Sequence, residues 1–510
     1  MNHLTHKIVT LEQMAAKAKE FKTAGLRIVL CHGAFDLLHP GHLRHLQRAR
    51  QEGDRLMVTI TADAFITKGP GRPVFPEQIR AESLASLECV DYVAVIFEAT
   101  ALPVLRALQP DIYAKGSDYQ DASKDLTNNI QLEKAEVEKQ GGKLFLTNEM
   151  TFSSTTLLNE HFELFAPNTK EYLNQFRTKH TAETIIDQLR TLHGKRVLVV
   201  GETIIDEYCY SNPLGLTGKS GNILAVCCNL EEKFAGGSLA VANHLAGMAH
   251  EVTLLTGIGR FDGYEAFIRS KLAKNVLPLL HYFDSAPTLV KRRYLDPDYN
   301  KLFEVYHYDT HPLTDHVETA LCHWIEKHAQ EFDLVVVPDY GNGLISKSIV
   351  QALCTHARFL AVNTQINSGN RGYHVITRYP RADFVSLNEP EARLATHNRY
   401  TPIEQIANWI STTLHAPHVA ITQGTQGALL LEKQNQQVHR IPALTRHVKD
   451  RIGAGDAFLA ISALCLCHGM TPEEALFVGS AAAAINVQVL CNQKTTTTIE
   501  LYKFITTLLK

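Results

Sequence analysis

The sequence predicts an α/β protein made of two parallel-sheet domains, and three observations predict it. Short apolar runs alternate with helical patterns along roughly the first 160 residues. A polar, helix-prone stretch then interrupts that rhythm. Beyond it a second buried-strand run, Val197-Leu198-Val199-Val200, starts the same alternation again.

In the first part, the apolar run Arg27 to Leu30 ends at the loop Cys31-His32-Gly33. Arg44 to Gln51 reads as helix, and Arg55 to Thr61 and Asp91 to Phe97 as strands. This βαβ rhythm places helices on the faces of a parallel sheet. Pro167-Asn168 breaks the chain before two helical stretches, Lys170 to Phe176 and Ala182 to Leu192, which read as a helical connector. After Val200, strand signals recur at Val252 to Leu255, Leu334 to Val337, Phe359 to Val362, Phe384 to Ser386, Val419 to Thr422 and Ala428 to Leu431. A long helix pair, Gly455 to His468 and Thr471 to Val489, is expected to close the chain. Tyr208 to Phe234 and Thr288 to His307 alternate Tyr, Val and Leu without fitting the core, so they read as extra strands forming a lid.

Composition narrows the function classes. Hydrophobic residues make up 45% and charged residues 20%, with a formal net charge of −3. That is ordinary globular usage, and without a basic excess nucleic acid is not an expected partner. Met1 to Thr10 lacks a basic segment followed by an apolar one. The longest apolar run, Ala457 to Cys467, is short of the ~20 residues a membrane helix needs. The ten Cys form no CxxC pair, which suits reduced thiols in a cytoplasmic protein.

Two strings carry the chemistry. The first is Gly33-Ala34-Phe35-Asp36-Leu37-Leu38-His39-Pro40-Gly41-His42. A strand ends, a loop follows, and a helix begins near Gly41. His39 and His42 are three residues apart and can share a side of the first helical turn. The helix start adds unpaired N–H groups and a positive dipole end, and Gly41 allows a ligand close to the backbone. Such an arrangement suits phosphoryl or nucleotidyl transfer, where positioning and charge stabilisation dominate. Taken alone, the string also fits surface histidines capping a helix, or a metal-binding pair.

This string resembles the signature of the cytidylyltransferase-like nucleotidyltransferases. Lys68-Gly69-Pro70-Gly71-Arg72-Pro73, Arg80 and Lys115-Gly116-Ser117-Asp118-Tyr119 resemble the adenylyltransferase half of bifunctional heptose kinase/adenylyltransferases, and Ser153-Ser154-Thr155 resembles a late motif of the superfamily. The resemblance implies that His39 and His42 stabilise the α-phosphate, with Gly33, Phe35 and Gly41 beside the nucleotide. Lys68 would be catalytic and, with Arg72, hold phosphate or pyrophosphate. Lys115, Asp118, Ser153, Ser154 and Thr155 would complete the pocket. Asp36 is expected to order the loop.

The second string is Asp450-Arg451-Ile452-Gly453-Ala454-Gly455-Asp456-Ala457-Phe458. Its small residues open a long apolar helix, and their N–H groups can surround a transferring phosphoryl group. Asp456 is placed to take a proton from an attacking hydroxyl. The string resembles the Gly-Ala-Gly-Asp signature of ribokinase-family carbohydrate kinases, with Arg451 where the family usually has Thr. The resemblance assigns sugar binding to Asp206, Gly236, Gly237 and Asn243. It assigns Mg²⁺, largely through water, to Asn388 and Glu391. The ATP pocket would use Thr422, Gly424, Gly427, Gly453, Ala454 and Gly455. Asp339-Tyr340-Gly341-Asn342-Gly343 is similar to a stretch of heptose kinases, and Lys291, Arg292 and Arg293 would be available to a phosphate on the sugar.

Together the resemblances imply two Rossmann-like three-layer α/β domains, the second of ribokinase-like fold with a small β lid. The expected boundaries are 1–160 for the nucleotidyltransferase, 161–193 for the linker and 194–510 for the kinase. The implied reactions are phosphorylation of D-glycero-D-manno-heptose 7-phosphate at O1 and AMP transfer from ATP to the sugar 1-phosphate. The substrates are small molecules, the assembly a homodimer, and the domain order the reverse of the heptose enzymes. The alternatives are another sugar with CTP as donor, or a non-catalytic sugar or nucleotide sensor.

Overall fold

The computed structural model describes residues 5–66, 72–116, 129–147, 165–218, 221–309, 313, 315–370 and 372–510. It divides into two compact units, Met1–Phe165 with Tyr502–Lys510, and Ala166–Leu501.

In the first unit, strands β1 (Ile28–Gly33), β2 (Arg55–Thr61), β3 (Tyr92–Ile96), β4 (Ile112–Lys115) and β5 (Lys143–Leu146) form one sheet in the order β3-β2-β1-β4-β5. All its pairings are parallel. Both faces of β1 are buried: Val29 and Cys31 enter one apolar cluster, Ile28 and Leu30 another. A strand covered on both sides reads as an unbroken apolar run. The strand order reverses between β1 and β4, and in such sheets ligands bind beyond the carboxyl ends of the strands at that point. The loop after β1 and the end of β4 therefore define the place to look.

The second unit holds β6 (Arg196–Val200), β7 (Thr203–Leu216), β8 (Leu224–Gly237), β9 (Glu251–Gly259), β10 (Val276–Phe283), β11 (Leu289–Leu295), β12 (Lys301–His307), β13 (Leu334–Asp339), β14 (Leu360–Thr364), β15 (Phe384–Asn388), β16 (His418–Thr422), β17 (Ala428–Glu432) and β18 (Gln437–Ile441). Nine strands make the main sheet, β10-β9-β6-β13-β14-β15-β16-β17-β18. It is parallel as far as β16 and antiparallel at the β17–β18 edge. Its order reverses between β6 and β13. The segments expected to form a lid are indeed separate, as a four-stranded sheet β12-β11-β7-β8.

The helix Ala454–His468 is apolar on every side and is buried along most of its length, as an all-round hydrophobic helix must be. Helix Pro472–Asn486 packs beside it. The helices Pro167–Arg177 and Ala182–Thr191, read from sequence as a connector, lie against Pro472–Asn486. Phe176 stacks on Phe477 at 4.3 Å, and Lys179 reaches Glu473 at 3.3 Å. The expectation that the helix pair closes the chain is corrected: a further helix, Thr498–Leu509, follows it. No helix among the described residues is long and apolar enough to cross a membrane.

Candidate active sites

At the end of β1 the chain enters the loop through Phe35, whose φ of 46° is left-handed. Asp36 is buried and accepts from Arg72 at 3.0 Å, Val74 N at 2.7 Å and Phe75 N at 3.2 Å. It thus ties the 72–75 loop to the end of β1. His39 is the N-cap of helix Pro40–Arg50, its Nδ1 accepting from Gly41 N at 3.1 Å. That bond puts the neutral ring's proton on Nε2. Burial lowers the pKa of His39. The His39 and His42 rings stack with centroids 4.0 Å apart, and Phe35 packs on His42 at 5.3 Å.

Lys115, at the end of β4, is buried. Its Nζ lies 3.3 Å from His32 O and 3.5 Å from Glu133. Sequence reading missed two more imidazoles here. His32 is hydrogen-bonded to Thr59 and His45 to Thr147. Burial, reinforced by the Lys115 charge, takes their pKa values down to about 3 and about 4, so both are neutral.

Two arginines of the motif are engaged by the protein itself. Arg72 is buried against Asp36, which neutralises the charge expected for phosphate; its Nε and one terminal nitrogen have no partner among the described residues. Arg80 is a clamp, bonding Phe75 O, Ala34 O, Thr61 O and Asp63. Lys68, Asp118, Ser153, Ser154 and Thr155 lie outside the described residues.

In the second unit the groups gather at the carboxyl ends of β6 and β13. Glu202, just past β6, is buried and accepts from Tyr340 N at 3.1 Å and Asn342 N at 3.0 Å. Burial and the neighbouring Asp339 push its pKa up to about 7. Tyr340 donates its hydroxyl to Asp456 Oδ1 at 2.8 Å. Asp456 stands in the first turn of helix Ala454–His468, whose N-cap Gly453 supplies no side-chain cap. Gly453 has a φ of 85°, and a Cβ there would collide with Asn492 Oδ1. The chain can therefore present this turn's N–H groups only with glycine in that place. Surrounding protein strips water from Asp456 and raises its pKa to about 7, while the Tyr340 bond holds it down.

Asp206, on β7, forms a buried ion pair with Arg293 of β11. Gly236 lies beside it, where a Cβ would strike the Asp206 carboxylate. Arg293 also binds Glu304 at 2.9 Å, and Arg292 binds Glu207 at 2.7 Å. Lys291 is buried and has no ion pair among the described residues; it lies within electrostatic reach of Asp206 and Asp456. Asn243 departs from its expected place. Its amide donates to Lys271 O and accepts from Ala273 N, both at 2.9 Å, so it braces a loop and is not part of this group.

Asn388 and Glu391 form a capping box at the start of helix Glu389–Ala395, with bonds of 2.9 and 2.8 Å. Ile366 N also donates to Glu391. Burial, with Asp456 adding repulsion, raises the Glu391 pKa to about 7. Two mutually repelling carboxylates with oxygen donors only are a fitting environment for a hard cation such as Mg²⁺. Thr422 ends β16, and Gly424 and Gly427, with φ of 60° and 98°, shape the turn into β17. Arg451 is exposed. The sequence signals for Glu202 and Tyr340 were present, as the first polar residue after β6 and the second residue of Asp-Tyr-Gly.

Comparison with known proteins gives a family match for each part of the chain. Residues 30–161 match the cytidylyltransferase-like family model, and residues 194–498 match that of the pfkB family carbohydrate kinases. The chain is 40% identical over 152 residues to a protein of Methylobacillus flagellatus called bifunctional protein HldE, covering 29% of this chain and 30% of the relative. It is 41% identical over 156 residues to the protein of that name from Geotalea uraniireducens, covering 30% of each. The chain thus spans about 30% of the length of these curated relatives. Among solved structures, phosphofructokinase-2 of Escherichia coli with potassium covers 62% of this chain and 100% of its own, at 16% identity and a TM-score of 0.50. This likeness is one of fold. The chain belongs to the pfkB family of carbohydrate kinases, and it carries a cytidylyltransferase-like nucleotidyltransferase domain ahead of the kinase domain.

Proposed function

We propose that the protein makes a nucleotide-activated heptose in two steps. The second unit phosphorylates D-glycero-D-manno-heptose 7-phosphate at O1, and the first transfers AMP from ATP to the resulting sugar 1-phosphate. The observation that carries the kinase half is the placement of Asp456. It stands in the first turn of an uncapped helix, bonded by Tyr340, with a protonation midpoint near neutrality. A general base works best when its pKa lies near the working pH. Asp456 takes the O1 proton as that oxygen bonds to the γ-phosphorus of ATP. The bond from that phosphorus to the β–γ bridging oxygen breaks, and ADP leaves. N–H groups of Gly453, Ala454 and Gly455 face the charge on the phosphoryl oxygens. Asp206, Gly236 and Gly237 hold the sugar, and buried Lys291 holds its existing phosphate. Thr422, Gly424 and Gly427 line the ATP pocket. Asn388 and Glu391 would hold Mg²⁺ largely through water, where the ion neutralises nucleotide phosphate charge.

In the first unit a sugar phosphate oxygen attacks the α-phosphorus of ATP and pyrophosphate leaves. The imidazoles of His39 and His42 donate to the developing charge, supported by Gly33, Phe35, Gly41 and Lys115. The resemblance adds Lys68, Asp118, Ser153, Ser154 and Thr155 to this pocket. Exposed Leu214, Leu216, Ile223 and Leu230 on β7 and β8 and the turn between them support a homodimer through the lid. The test measures sugar-dependent ADP formation, and pyrophosphate release from ATP or CTP, across a panel of sugars and sugar phosphates with mass detection. A heptose 7-phosphate and ATP should give the highest turnover. Preference for another sugar or for CTP overturns the substrate assignment. Wild-type rates equal to those of Asp456→Asn in the first assay would remove the kinase reading.

A further inference from the structure

The lid sheet carries a second group of reactive side chains. In the β7–β8 register Cys209 pairs with Glu231, and Tyr210 with Leu230. The register then slips, so that Ser211 pairs with Cys228 and Asn229 is left over. Side chains along a strand alternate between faces. Cys228 and Glu231, three apart, would normally point to opposite sides. The one-residue bulge cancels that difference and brings Cys209, Cys228 and Glu231 together. By the same alternation Asp206 and Tyr208 project from the other face of β7.

The resulting geometry is close to that of a metal centre. Glu231 Oε1 lies 3.8 Å from Cys209 Sγ and 3.9 Å from Cys228 Sγ, and the three ligand atoms all fall within 4.8 Å of one another. Around a tetrahedral zinc ion, bonds of ~2.3 Å to sulfur and ~2.0 Å to oxygen place two sulfurs about 3.8 Å apart and sulfur and oxygen about 3.5 Å apart. The sulfur–oxygen separations need to close by only a few tenths of an ångström. Cys209 is buried, whereas Cys228 and Glu231 are exposed, so an ion has a dry floor and a route in from solvent. Among the described residues no other three His, Cys, Asp or Glu side chains gather in this way.

Charge is also provided for. Two thiolates, one carboxylate and a divalent ion sum to one negative charge. Next to them Glu207 is shared by Arg292 at 2.7 Å and Lys233 at 3.1 Å, a group with one positive charge. The two sets cancel. Soft sulfur ligands favour zinc-like ions over Mg²⁺.

We propose that Cys209, Cys228 and Glu231 bind a thiophilic divalent cation on the face of β7 opposite Asp206, tying strands β7 and β8 together. On binding, each thiol releases its proton to solvent as its sulfur–metal bond forms. The carboxylate binds as it stands, and water completes the coordination. The site is independent of which sugar the kinase uses.

Co²⁺ serves as the probe, added to the full-length, reduced, chelator-treated protein, with Zn²⁺ as competitor. One equivalent should produce a near-ultraviolet thiolate-to-cobalt band that Zn²⁺ abolishes. Cys228→Ser, at an exposed position, should weaken binding at least about tenfold, as should Cys209→Ser. Glu231→Gln should weaken it while keeping part of the band. Cys227→Ser, one residue away and on the opposite face, should leave the titration unchanged. The proposal is overturned by absence of the band in wild type, by a band that survives Cys228→Ser, or by thiol titration showing that air converts Cys209 and Cys228 to a disulfide in protein that binds no cobalt.

Discussion

The two candidate centres use the same backbone device and oppose each other in side-chain chemistry. In each, a helix begins near the carboxyl edge of a parallel sheet and turns its N-terminal, positive dipole end there. In the first unit the cap is a side chain, His39. In the second it is Gly453, which offers none. Burial then acts on opposite charges. It lowers the pKa of the imidazole at His39 and raises that of the carboxyl at Asp456 to about 7. The same desolvation therefore yields a neutral hydrogen-bond donor in one centre and a base poised near neutrality in the other. A capped helix start can bind and stabilise charge, whereas an uncapped one has room for a reacting group beside its own N–H groups.

The largest effect should come from Asp456→Asn. It leaves shape unchanged and removes the base, so sugar-dependent ADP formation should fall about 10²- to 10⁴-fold, with pyrophosphate release from supplied sugar 1-phosphate intact. Loss of both activities would mean that the two centres are not chemically separate. His42→Ala is the mirror experiment. Removing one preorganised donor should lower nucleotidyl transfer about 10²- to 10³-fold and spare the kinase. Because burial lowers the His39 pKa, its imidazole should act as a neutral donor, and transfer should be insensitive to pH above neutrality.

The pH profile sharpens the contrast further. Asp456, Glu202 and Glu391 all have pKa values raised to about 7. The base must be ionised to act, so kinase kcat/KM should fall as pH drops through about 7. Because neighbouring acids titrate together, that limb belongs to the group as a whole. Tyr340→Phe deletes the hydroxyl that stabilises the Asp456 carboxylate. The limb should then move to higher pH, while the transferase profile stays where it was. A limb that does not move would assign Tyr340 to packing alone.

How far these centres were legible depended on whether a signal was local. Strands buried on both faces, such as Val197–Val200, declare themselves as unbroken apolar runs. The Gly453–Asp456 turn and the His39/His42 pair are local strings, and the structure keeps each together. Short edge strands such as Lys143–Leu146 carry too few residues for a pattern. Long-range pairings left no trace at all. Nothing near Arg72 announces that Asp36 neutralises it, and nothing near Arg293 announces Asp206, because each pair is made by the fold. Lys291-Arg292-Arg293 looked uniform in sequence. Strand alternation sends neighbours to opposite faces, where Glu207 takes one arginine and Asp206 and Glu304 the other, leaving the lysine without an ion pair among the described residues.

The smallest effect concerns Asn243, where local resemblance and fold disagree. The resemblance assigns Gly236, Gly237 and Asn243 alike to sugar binding. Gly236 does pack on the Asp206 carboxylate. Six residues into helix Ser238–Ala246, however, Asn243 has turned toward the loop 271–273 and spends both ends of its amide there. Asn243→Ala should therefore leave the sugar KM unchanged. It should cost about 1 kcal/mol of stability, the usual worth of a partly exposed hydrogen-bonded amide, measured as a lower denaturant midpoint with unaltered slope. Asp206→Asn should do the reverse to KM, raising it strongly because Arg293 loses its ionic partner beside the sugar. If instead Asn243→Ala raises the sugar KM as Asp206→Asn does, the sugar must reach past Gly236 to this helix, and the ligand-facing edge of the kinase would extend one turn further than the hydrogen bonds place it.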